Sequence, residues 1–372
     1  MLTTNKVIID LGAVRHNFRQ IKTLAGAGVV AVVKSDAYGH GMIPVAQTLE
    51  PEGPTYFGVF ELEEAMELKA SGCGVPILIM MGILAEQVSA VVDNGFTVAL
   101  FQKAIARRIS DAAQQRQTVV PVHIKVDTGM TRLGVTWADL PDFLQYVLPL
   151  KGIHLKGMFS HFAVSDEPDL AFTNKQRERF LWAVNESDKL NISFDDLHVS
   201  NSGAILTKKG LDFGLVRPGI ALYGSSPAKM PSKNISLKRA MSFKSRIVQL
   251  RSVPADTPVS YGCTYNTKSS STIATIPVGY DDGYNRLLSN NGEVLVRGTR
   301  VPVVGRVCMN LTMLDVSSVE GVSVGDEAVL LGAQGKEEIT AEEIAEKIGT
   351  INYEIYCSIG KSNLRSYLYP AE

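Results

Sequence analysis

Short runs of β-branched and other apolar residues recur between about residue 29 and residue 224, and a longer stretch with helical spacing follows each run. This alternation is typical of parallel βα units, in which a helix covers the sheet after every strand. The eight runs begin at Val29, Thr55, Pro76, Thr97, Val120, Leu155, Asp195 and Leu215. Eight such units predict a closed, TIM-like (β/α)₈ barrel of the α/β class.

A doubly wound open sheet is the competing architecture, and its phosphate-binding fingerprint would be G-x-G-x-x-G directly after the first strand. Here Gly26 and Gly28 precede the first run instead. In a barrel, reactive groups lie at the carboxyl ends of the strands, and several runs of this chain end in polar residues or glycine. The barrel is therefore the prediction.

Regular patterning lapses at about residues 225–238, which are rich in Pro, Ser and Lys, and the βα alternation does not resume. We therefore predict a barrel domain over residues 1–232 and a second domain over residues 233–372. The second domain is rich in strand patterns and is predicted to be mostly antiparallel β. One helix is predicted there, opened by a capping box of Thr340 with Glu343.

Charge and cysteine content exclude several classes of protein. The 372 residues include 37 basic and 38 acidic side chains, so the formal net charge of -1 does not attract nucleic acid or anionic lipid. The four cysteines lack metal-ligand spacing and are typical of reduced thiols. No signal peptide or membrane helix is indicated, so we expect a cytoplasmic protein with no nucleic-acid or membrane partner.

Lys34 follows the apolar run from Val29 to Val33 and is expected at the mouth of the first barrel strand. Desolvation disfavours the ammonium form of a lysine and favours the free amine that Schiff-base chemistry needs. The alternative is a strand-end lysine that reaches solvent. The adjoining loop, in which Tyr38 precedes a histidine flanked by glycines, favours the chemical interpretation.

The ends of the last two runs carry hydroxyl and backbone N–H donors, at the place where barrels commonly bind phosphate. These residues are Asn201, Ser202 and Gly203 after the seventh run, and Pro218, Gly219 and Ile220 after the eighth. Arg217 lies between apolar neighbours. Because a buried guanidinium needs a partner, this arginine is either paired in the core or faces a ligand.

Two further side chains have open roles. Arg132 is able to bind a carboxylate in bidentate fashion, and its alternative is a pairing with Asp127. His161 is a candidate proton relay or metal ligand, but no H-x-H, H-E-x-x-H or carboxylate cluster accompanies it. The sequence therefore predicts no metal site.

Nine motifs, in order and across essentially the whole chain, resemble those of the alanine racemases. They read AVVKSDAYGHG, KVDTGMTRLG, SHF, SNSG, VRPGIALYG, VSYG, IPVGYDDGY, GRVCMN and INYE. The resemblance implies a homodimeric pyridoxal 5'-phosphate (PLP) isomerase that interconverts L-alanine and D-alanine and supplies D-alanine for peptidoglycan of the cell wall. It also implies an N-terminal barrel that carries PLP and a C-terminal β domain.

The same resemblance implies two bases on opposite faces of the substrate. Lys34 matches the lysine that holds PLP as a Schiff base and serves the D-enantiomer. Tyr261 matches the base for the L-enantiomer, which in the family reaches the site from the second subunit. Arg217 matches the arginine at the pyridine nitrogen, and His161 matches a histidine that packs on the cofactor. The residues matched to the phosphate site are Tyr38, Ser202, Gly219, Ile220 and Tyr353, with Asn201 beside them.

Further matches concern the substrate. Arg132 and Met309 match contacts to the substrate carboxylate, and Tyr280 matches a residue at the entrance. Lys125 matches a lysine that is often carbamylated, and its new carboxylate orients the arginine at Arg132.

Tyr261 needs nearby positive charge to act as a base near neutrality, because the unperturbed pKa of a tyrosine is about 10. The Arg217–His161 pair is the candidate source of that charge. An arginine at the pyridine nitrogen also cannot give that nitrogen a full proton, which disfavours side reactions such as transamination.

Two segments depart from the family pattern. Asn310 follows Met309 where many members have aspartate, and the C-terminal CSIGKSNLRSYLYP replaces an R-V-P-like sequence. We expect neither to touch Lys34, Tyr261 or the phosphate set, so they bear on substrate preference and not on the reaction.

Three alternative functions remain open at this point. The first is a racemase of the same fold that has broader specificity or acts on serine. The second is an amino-acid decarboxylase built from the same kinds of domain, against which the ordered VSYG, GYDDGY and GRVCMN motifs count. The third is a non-catalytic PLP carrier, which would need no second base such as Tyr261.

Overall fold

The computed structural model describes residues 4–207, 213–227 and 235–369. Its strands are β1 (Lys6–Asp10), β2 (Gly28–Val32), β3 (Tyr56–Val59), β4 (Ile77–Ile79), β5 (Thr97–Leu100), β6 (Val120–Asp127), β7 (Val135–Thr136), β8 (Ile153–Phe159), β9 (Asp196–His198), β10 (Leu215–Val216), β11 (Met241–Arg246), β12 (Gln249–Val253), β13 (Pro258–Val259), β14 (Tyr265–Asn266), β15 (Ser271–Ile276), β16 (Glu293–Val296), β17 (Thr299–Pro302), β18 (Thr312–Asp315), β19 (Glu327–Gln334), β20 (Glu337–Ile339) and β21 (Arg365–Leu368). Its α-helices are α1 (Leu11–Ala25), α2 (Lys34–Tyr38), α3 (Met42–Leu49), α4 (Leu62–Ala70), α5 (Val88–Asn94), α6 (Lys103–Gln115), α7 (Leu140–Val147), α8 (Ala171–Lys189), α9 (Ser202–Leu206), α10 (Ala341–Ile348) and α11 (Asn352–Ser362).

Parallel strands close a barrel in the N-terminal part of the chain. Neighbouring strands follow the order β5–β4–β3–β2–β10–β9–β8–β6, and pairing of β5 with β6 closes the ring. The short β7 pairs with the end of β6. Each of the eight predicted runs contains one barrel strand, so the predicted (β/α)₈ fold is confirmed.

The barrel strands are buried on both faces, as their continuous apolar runs predict. Every residue of β3 and β5 is buried. Successive side chains of β2 alternate between two cores, since Val29 packs in the large cluster outside the ring and Val30 packs inside it. The inner cluster consists of Val30, Tyr56, Leu78 and Leu215.

The C-terminal part is built on a seven-stranded sheet, with smaller sheets of three and two strands beside it. The main path of the large sheet runs β17–β16–β19–β11–β1–β21, and β20 pairs with β19. The pairings are antiparallel except that of β1 with β21, so the mostly antiparallel β domain is confirmed. β1 thus joins the C-terminal sheet although it precedes the barrel in the chain. The predicted boundary at residues 232/233 lies outside the described residues and stays a prediction.

Two helices lie in the C-terminal part, where the sequence predicted one. Thr340 caps α10 as predicted, because its hydroxyl accepts from the backbone N–H of Glu343 at 3.0 Å. The reciprocal half of the predicted capping box is wrong, since the Glu343 carboxylate accepts from Arg300 at 2.7 Å instead. The second helix, α11, packs against α10 and α2 and so reaches the barrel mouth. Within the described ranges, no helix is both long enough and apolar enough to cross a bilayer.

Candidate active site

A cavity of about 600 Å³ opens at the carboxyl ends of the barrel strands. Its volume lies within the usual range for a small-molecule site. The sequence-predicted site residues that line it are Lys34, Tyr38, Lys125, Arg132, His161, Asn201, Ser202, Arg217, Gly219, Ile220 and Tyr353. The first barrel turn, the last two βα turns and α11 therefore meet around one space.

The charged side chains in the described lining of the cavity all have the same sign. Among its described lining residues, four are basic and none is acidic. The basic residues are Lys34, Lys125, Arg132 and Arg217. Like charges close together in a partly desolvated space repel one another, so the cavity favours a ligand with negative charge.

Lys34 lies directly after β2, at the mouth predicted for it. Burial lowers the pKa of its ammonium group, and the charge of Arg132 lowers it further. The Nζ atom lies 5.2 Å from the centre of the Phe60 ring. The loss of hydration and the neighbouring cation both favour the neutral amine, which is the nucleophilic form.

The turn after Lys34 is left-handed. Ser35, Asp36, Ala37 and Tyr38 have φ angles of 54°, 55°, 54° and 56°. This conformation costs about 1–2 kcal/mol per residue for L-amino acids, so the surrounding contacts must hold it. It turns the chain sharply enough to bring both Lys34 and Tyr38 to one cavity.

Glu64 at the start of α4 holds one side of this turn. Its Oε1 atom accepts from the backbone N–H of Ser35 at 2.5 Å, and its Oε2 atom accepts from that of Phe60 at 2.6 Å. The carboxylate thus ties the turn after the first barrel strand to the loop after the second.

Asp36 and the C-terminal strand hold the other side. Asp36 accepts from the backbone N–H of Met42 at 2.7 Å and forms an ion pair with Arg365. Arg365 also donates to the carbonyl of Gly39 at 3.0 Å. A Cβ on Gly39 would lie 2.5 Å from the carbonyl oxygen of Tyr356, so only glycine lets α11 approach here. The expectation that the atypical C-terminal segment stands apart from the lysine and phosphate set needs correction, because this segment clamps the turn that carries Lys34 and Tyr38.

The opposite end of the cavity is rich in hydrogen-bond donors. The Ser202 hydroxyl accepts from the backbone N–H of Gly219 at 2.9 Å and from that of Ala221 at 3.3 Å, which leaves its own proton to donate into the cavity. Burial raises the pKa of Tyr38 and of Tyr353, so both phenols keep their protons and also act as donors. Such a group of donors fits an anion like phosphate.

Asn201, predicted beside this group, caps α9. Its side-chain oxygen accepts from the backbone N–H of Ala204 at 3.0 Å and from the Ser165 hydroxyl at 2.8 Å. A Cβ on Gly219 would lie 2.4 Å from the Tyr38 hydroxyl oxygen. Glycine at this position therefore leaves room for that phenol to face the cavity.

Arg217 is buried between the donor group and the wall of the barrel. Its Nη2 atom donates to the carbonyl of Ser160 at 2.6 Å and to Nδ1 of His161 at 3.1 Å. In the described part of the chain no carboxylate ion-pairs with it, and its only cause of a lowered pKa is burial. Of the two alternatives for Arg217, a core salt bridge is wrong, and the guanidinium lines the ligand cavity.

His161 is uncharged. Burial, followed by the charge of Arg217, lowers its pKa well below the usual value. The positive charge of the predicted Arg217–His161 pair therefore belongs to Arg217 alone. Within the described ranges, no group of three or more His, Cys, Asp or Glu side chains has the arrangement of a metal site.

Lys125 and Arg132 lie on the wall facing Lys34. Burial lowers the pKa of Lys125 to about 7, and the charges of Arg217, Arg132 and Lys34 act in the same direction. The alternative pairing of Arg132 with Asp127 is not found, since the Asp127 carboxylate instead accepts from three successive backbone N–H groups that begin at Gly129. Arg132 is exposed at the cavity mouth, where a ligand carboxylate can reach it.

Three predicted residues lie outside the cavity. Tyr261 is 72% exposed, Met309 is 55% exposed and Tyr280 is 43% exposed, all on the C-terminal part. Asn310, the departure beside Met309, donates to Asp281 at 3.3 Å. One chain by itself therefore brings together the barrel half of the predicted site and leaves the other half on its surface.

Sequence reasoning missed several side chains that support the site. Glu64, Asp36 and Arg365 hold the lysine turn, and His198 accepts from Arg217 at 2.7 Å. His198 carried a usable signal, because a histidine within a buried strand needs a partner. Nothing in the sequence pairs Asp36 with Arg365, 329 residues away.

Two alanine racemase structures share this architecture. That from Clostridium difficile 630 matches with a TM-score of 0.93 at 35% identity, over 100% of this chain and 97% of its own. That from Bartonella henselae, with covalently bound pyridoxal phosphate, matches with a TM-score of 0.89 at 30% identity, over 98% of this chain and 100% of its own.

Sequence comparison finds the same group of proteins as the structural comparison. A family model of the alanine racemase N-terminal domain matches residues 9–227, and one of the C-terminal domain matches residues 240–367. The chain is 46% identical to an alanine racemase of Syntrophobacter fumaroxidans over 363 residues, which make up 97% of this chain and 96% of that relative. The chain therefore belongs to the alanine racemase family.

Proposed function

We propose that this protein interconverts L-alanine and D-alanine with bound PLP. The observation that carries the proposal is that Lys34, a desolvated amine, shares one basic cavity with Arg217 and with the donor group around Ser202. The donor set fits PLP, since the hydroxyls and N–H groups suit its phosphate, Arg217 suits its ring nitrogen and Lys34 suits its aldehyde. The relatives that support this reading are alanine racemases.

Different residues bind the cofactor, orient the substrate and move its poorly acidic Cα proton. PLP, when bound, supplies the electron sink that makes this proton removable. Lys34 holds the cofactor and moves a proton on one face of the substrate. Arg132 binds the substrate carboxylate, with Met309 of the partner subunit, and thereby orients the Cα–H bond towards the base. Arg217 stays charged beside the ring nitrogen and cannot give it a full proton.

The second base is Tyr261 of the partner subunit. Racemisation needs a proton on each face of a planar carbon, and Lys34 serves one of these faces. Tyr261 is exposed on its own chain, as a residue that completes a neighbour's site must be. The charge of Arg217 lowers the free energy of a phenolate nearby. We therefore propose a homodimer whose two sites are each shared between subunits, with Tyr280 at the entrance.

Lys125 is proposed to be carbamylated. Its neutral amine attacks CO₂. An N–C bond forms as one C=O π bond opens onto oxygen, and the nitrogen releases one proton, so the neutral amine becomes a carbamate anion. Burial favours this step, because a pKa of about 7 leaves the reactive free amine well populated near neutral pH. The anion would offset the charge of Arg132 and orient its guanidinium. Carbon-13 NMR in labelled bicarbonate tests this, with Lys125→Met as the variant that must lose the signal.

The function is tested by incubating the protein, with PLP, separately with L-alanine and D-alanine in deuterated water. We expect both enantiomers to exchange their Cα proton and to interconvert, and borohydride trapping should leave the cofactor on the peptide that contains Lys34. Exchange of one enantiomer alone would contradict the two-base proposal, and carbon dioxide release would favour the decarboxylase alternative.

Serine and lysine are the substrates for testing specificity. A racemase of broader specificity would turn over L-serine or L-lysine at rates close to that of L-alanine. We expect alanine to be preferred, with the ratio of kcat/KM values as the readout.

A further inference from the structure

A column of polar side chains lies inside the barrel behind Arg217. It passes from Arg217 at the carboxyl end of the barrel through His198 and His123 to Asp196 at the opposite end of β9. Both histidines are fully buried. Tyr56, from the start of β3, donates to the same Asp196 carboxylate at 2.6 Å. A barrel interior is ordinarily packed with apolar side chains, so a polar column at this place is unusual.

The direction of every proton in the column follows from its first member. A guanidinium has only donors, so the Arg217 Nη1 atom donates to Nδ1 of His198 at 2.7 Å. A neutral His198 then has its proton on Nε2, and this atom lies 2.8 Å from Nδ1 of His123, which must accept. His123 therefore also carries its proton on Nε2.

The last link leads to a negative charge. The Nε2 atom of His123 lies 3.4 Å from Oδ2 of Asp196 and makes no hydrogen bond within the described residues, so this link is an electrostatic contact and the weakest step. Although burial acts to raise the pKa of Asp196, the contacts with His123 and Tyr56, together with the charge of Lys156, hold it below its usual value. Burial lowers the pKa of both histidines, so neither carries a charge. The column thus joins one cation to one anion through two neutral imidazoles.

We propose that Asp196 is the counter-ion of Arg217 and that His198 and His123 relay its effect as positioning residues behind the cavity. The inference rests on the proposed function for the role of Arg217, but the proton order of the column does not. His198 also packs flat against Phe159, with ring centres 4.8 Å apart and an angle of 6°, so its Nδ1 atom is held at one point. The guanidinium is therefore fixed in direction and partly compensated in charge, although no carboxylate is among the described residues that line the cavity.

The relay acts on the acidity of Arg217. An anion at the far end makes His198 a better acceptor, which strengthens its bond with Arg217 and makes the remaining N–H groups of the guanidinium poorer proton donors. Loss of that anion should leave Arg217 more acidic towards the ring nitrogen. Racemisation should then fall, and the conversion of alanine to pyruvate, with the amino group kept on the cofactor, should gain on it.

The test compares Asp196→Asn with Asp195→Asn in the full-length holoenzyme. Asp195 is the exposed residue directly before Asp196, so this control removes an equal charge at the surface. Nitrogen-15 NMR of the six histidines reads the protonated nitrogen of each ring. In the unmodified protein we expect His198 and His123 to be neutral and protonated on Nε2 at neutral and higher pH. In Asp196→Asn we expect the signals of both histidines to move, including that of His198 two links away.

Kinetics provide the second readout. Loss of an outer hydrogen-bond partner changes function by roughly 10- to 100-fold at well-studied metal sites, and for a carboxylate two imidazoles away we expect about a 10-fold lower kcat with KM little changed. The ratio of pyruvate formation to racemisation should rise, and Asp196→Glu should restore part of the loss. Asp195→Asn should match the unmodified protein in every readout.

Three outcomes would overturn the relay. One is a proton on Nδ1 of His198 or His123, or a positive charge on either ring, in the unmodified protein. Another is an unmoved His198 signal in Asp196→Asn. The third is equal kinetics for the two Asn variants. If the unmodified protein failed to racemise alanine, the proposed function would fail, whereas the NMR result would still decide whether the column has the inferred proton order.

Discussion

The two halves of the proposed active site differ in how completely one chain builds them. The barrel half is buried and braced, with Arg217 4% exposed and hydrogen-bonded through both Nη atoms. The C-terminal half is open, with Tyr261 72% exposed. Under the proposed function, one chain is therefore expected to bind the cofactor by itself, while the open half would be completed by a partner subunit.

Because the two halves differ in this way, we expect substitutions in them to affect cofactor binding and catalysis differently. Changes in the barrel half should affect cofactor attachment and both directions of reaction. Changes in the C-terminal half should leave the cofactor bound and affect one direction or the assembly. The predictions below run from the largest expected effect to the smallest.

Lys34→Ala should abolish proton exchange from both enantiomers. The substitution removes the point of cofactor attachment and one of the two bases, and a base alone is worth about 10²–10⁴-fold. Exchange of the Cα proton in deuterated water measures the loss. Lys69→Ala, on the exposed face of α4, is the matched control and should keep full activity. Substantial exchange of either enantiomer by Lys34→Ala would remove the barrel half from the mechanism.

Tyr261→Phe should leave the cofactor bound and slow proton removal from L-alanine by about 10²–10⁴-fold, with a smaller effect on proton removal from D-alanine. Tyr369→Phe, another exposed tyrosine, is the control. Mixing Lys34→Ala and Tyr261→Phe chains, with exchange of subunits, tests whether the site is shared. Half of the resulting dimers would be mixed and would hold one intact site, restoring roughly one quarter of the activity per chain. No recovery on mixing would contradict a site built from two subunits.

Gly219→Ala should weaken cofactor binding without changing assembly. The new Cβ would lie 2.4 Å from the Tyr38 hydroxyl oxygen, and overpacking of this kind costs about 1–3 kcal/mol, or roughly 5- to 150-fold in affinity. The dissociation constant of PLP measures it. Gly214→Ala is the control, because the nearest atom to its Cβ would be 4.0 Å away. Equal affinities in the two variants would show that the donor group near Gly219 does not hold the cofactor.

Lys125 should make stability depend on pH. Its pKa falls from the ordinary 10.5 to about 7 on folding, so between these values the unfolded chain binds more protons than the folded one. The free energy of unfolding then rises with pH across this window, by at most about 1.4 kcal/mol per pH unit. Urea unfolding of the cofactor-free protein in carbon dioxide-free buffer measures the slope. Lys125→Met should flatten this slope, whereas the control Lys151→Met, at an exposed position, should leave it unchanged. Identical slopes in the two variants would contradict the depressed pKa of Lys125.

Much of the barrel half is predictable because its signals are local. A β-branched run, a lysine at its end and donors after the last two strands each lie within a few residues. α11 was missed because its segment, INYEIYCSIGKS, mixes aromatic and β-branched residues that also suit a strand. The predicted barrel domain over residues 1–232 included β1, but the partners of this strand, β11 and β21, lie more than 200 residues further along the chain.

The sequence by itself determined the βα period, the family and the residues that face the cavity, because periodicity and motif spacing are written along the chain. Only the tertiary structure decided which way Arg217 faces, what braces the left-handed turn after Lys34, and which histidines lie against the buried guanidinium. Arg365 contacts Asp36, and His198 and His123 lie between Arg217 and Asp196, because folding brings distant strands together. Hydrogen bonds and charges act over a few ångströms of space, whatever the distance along the chain.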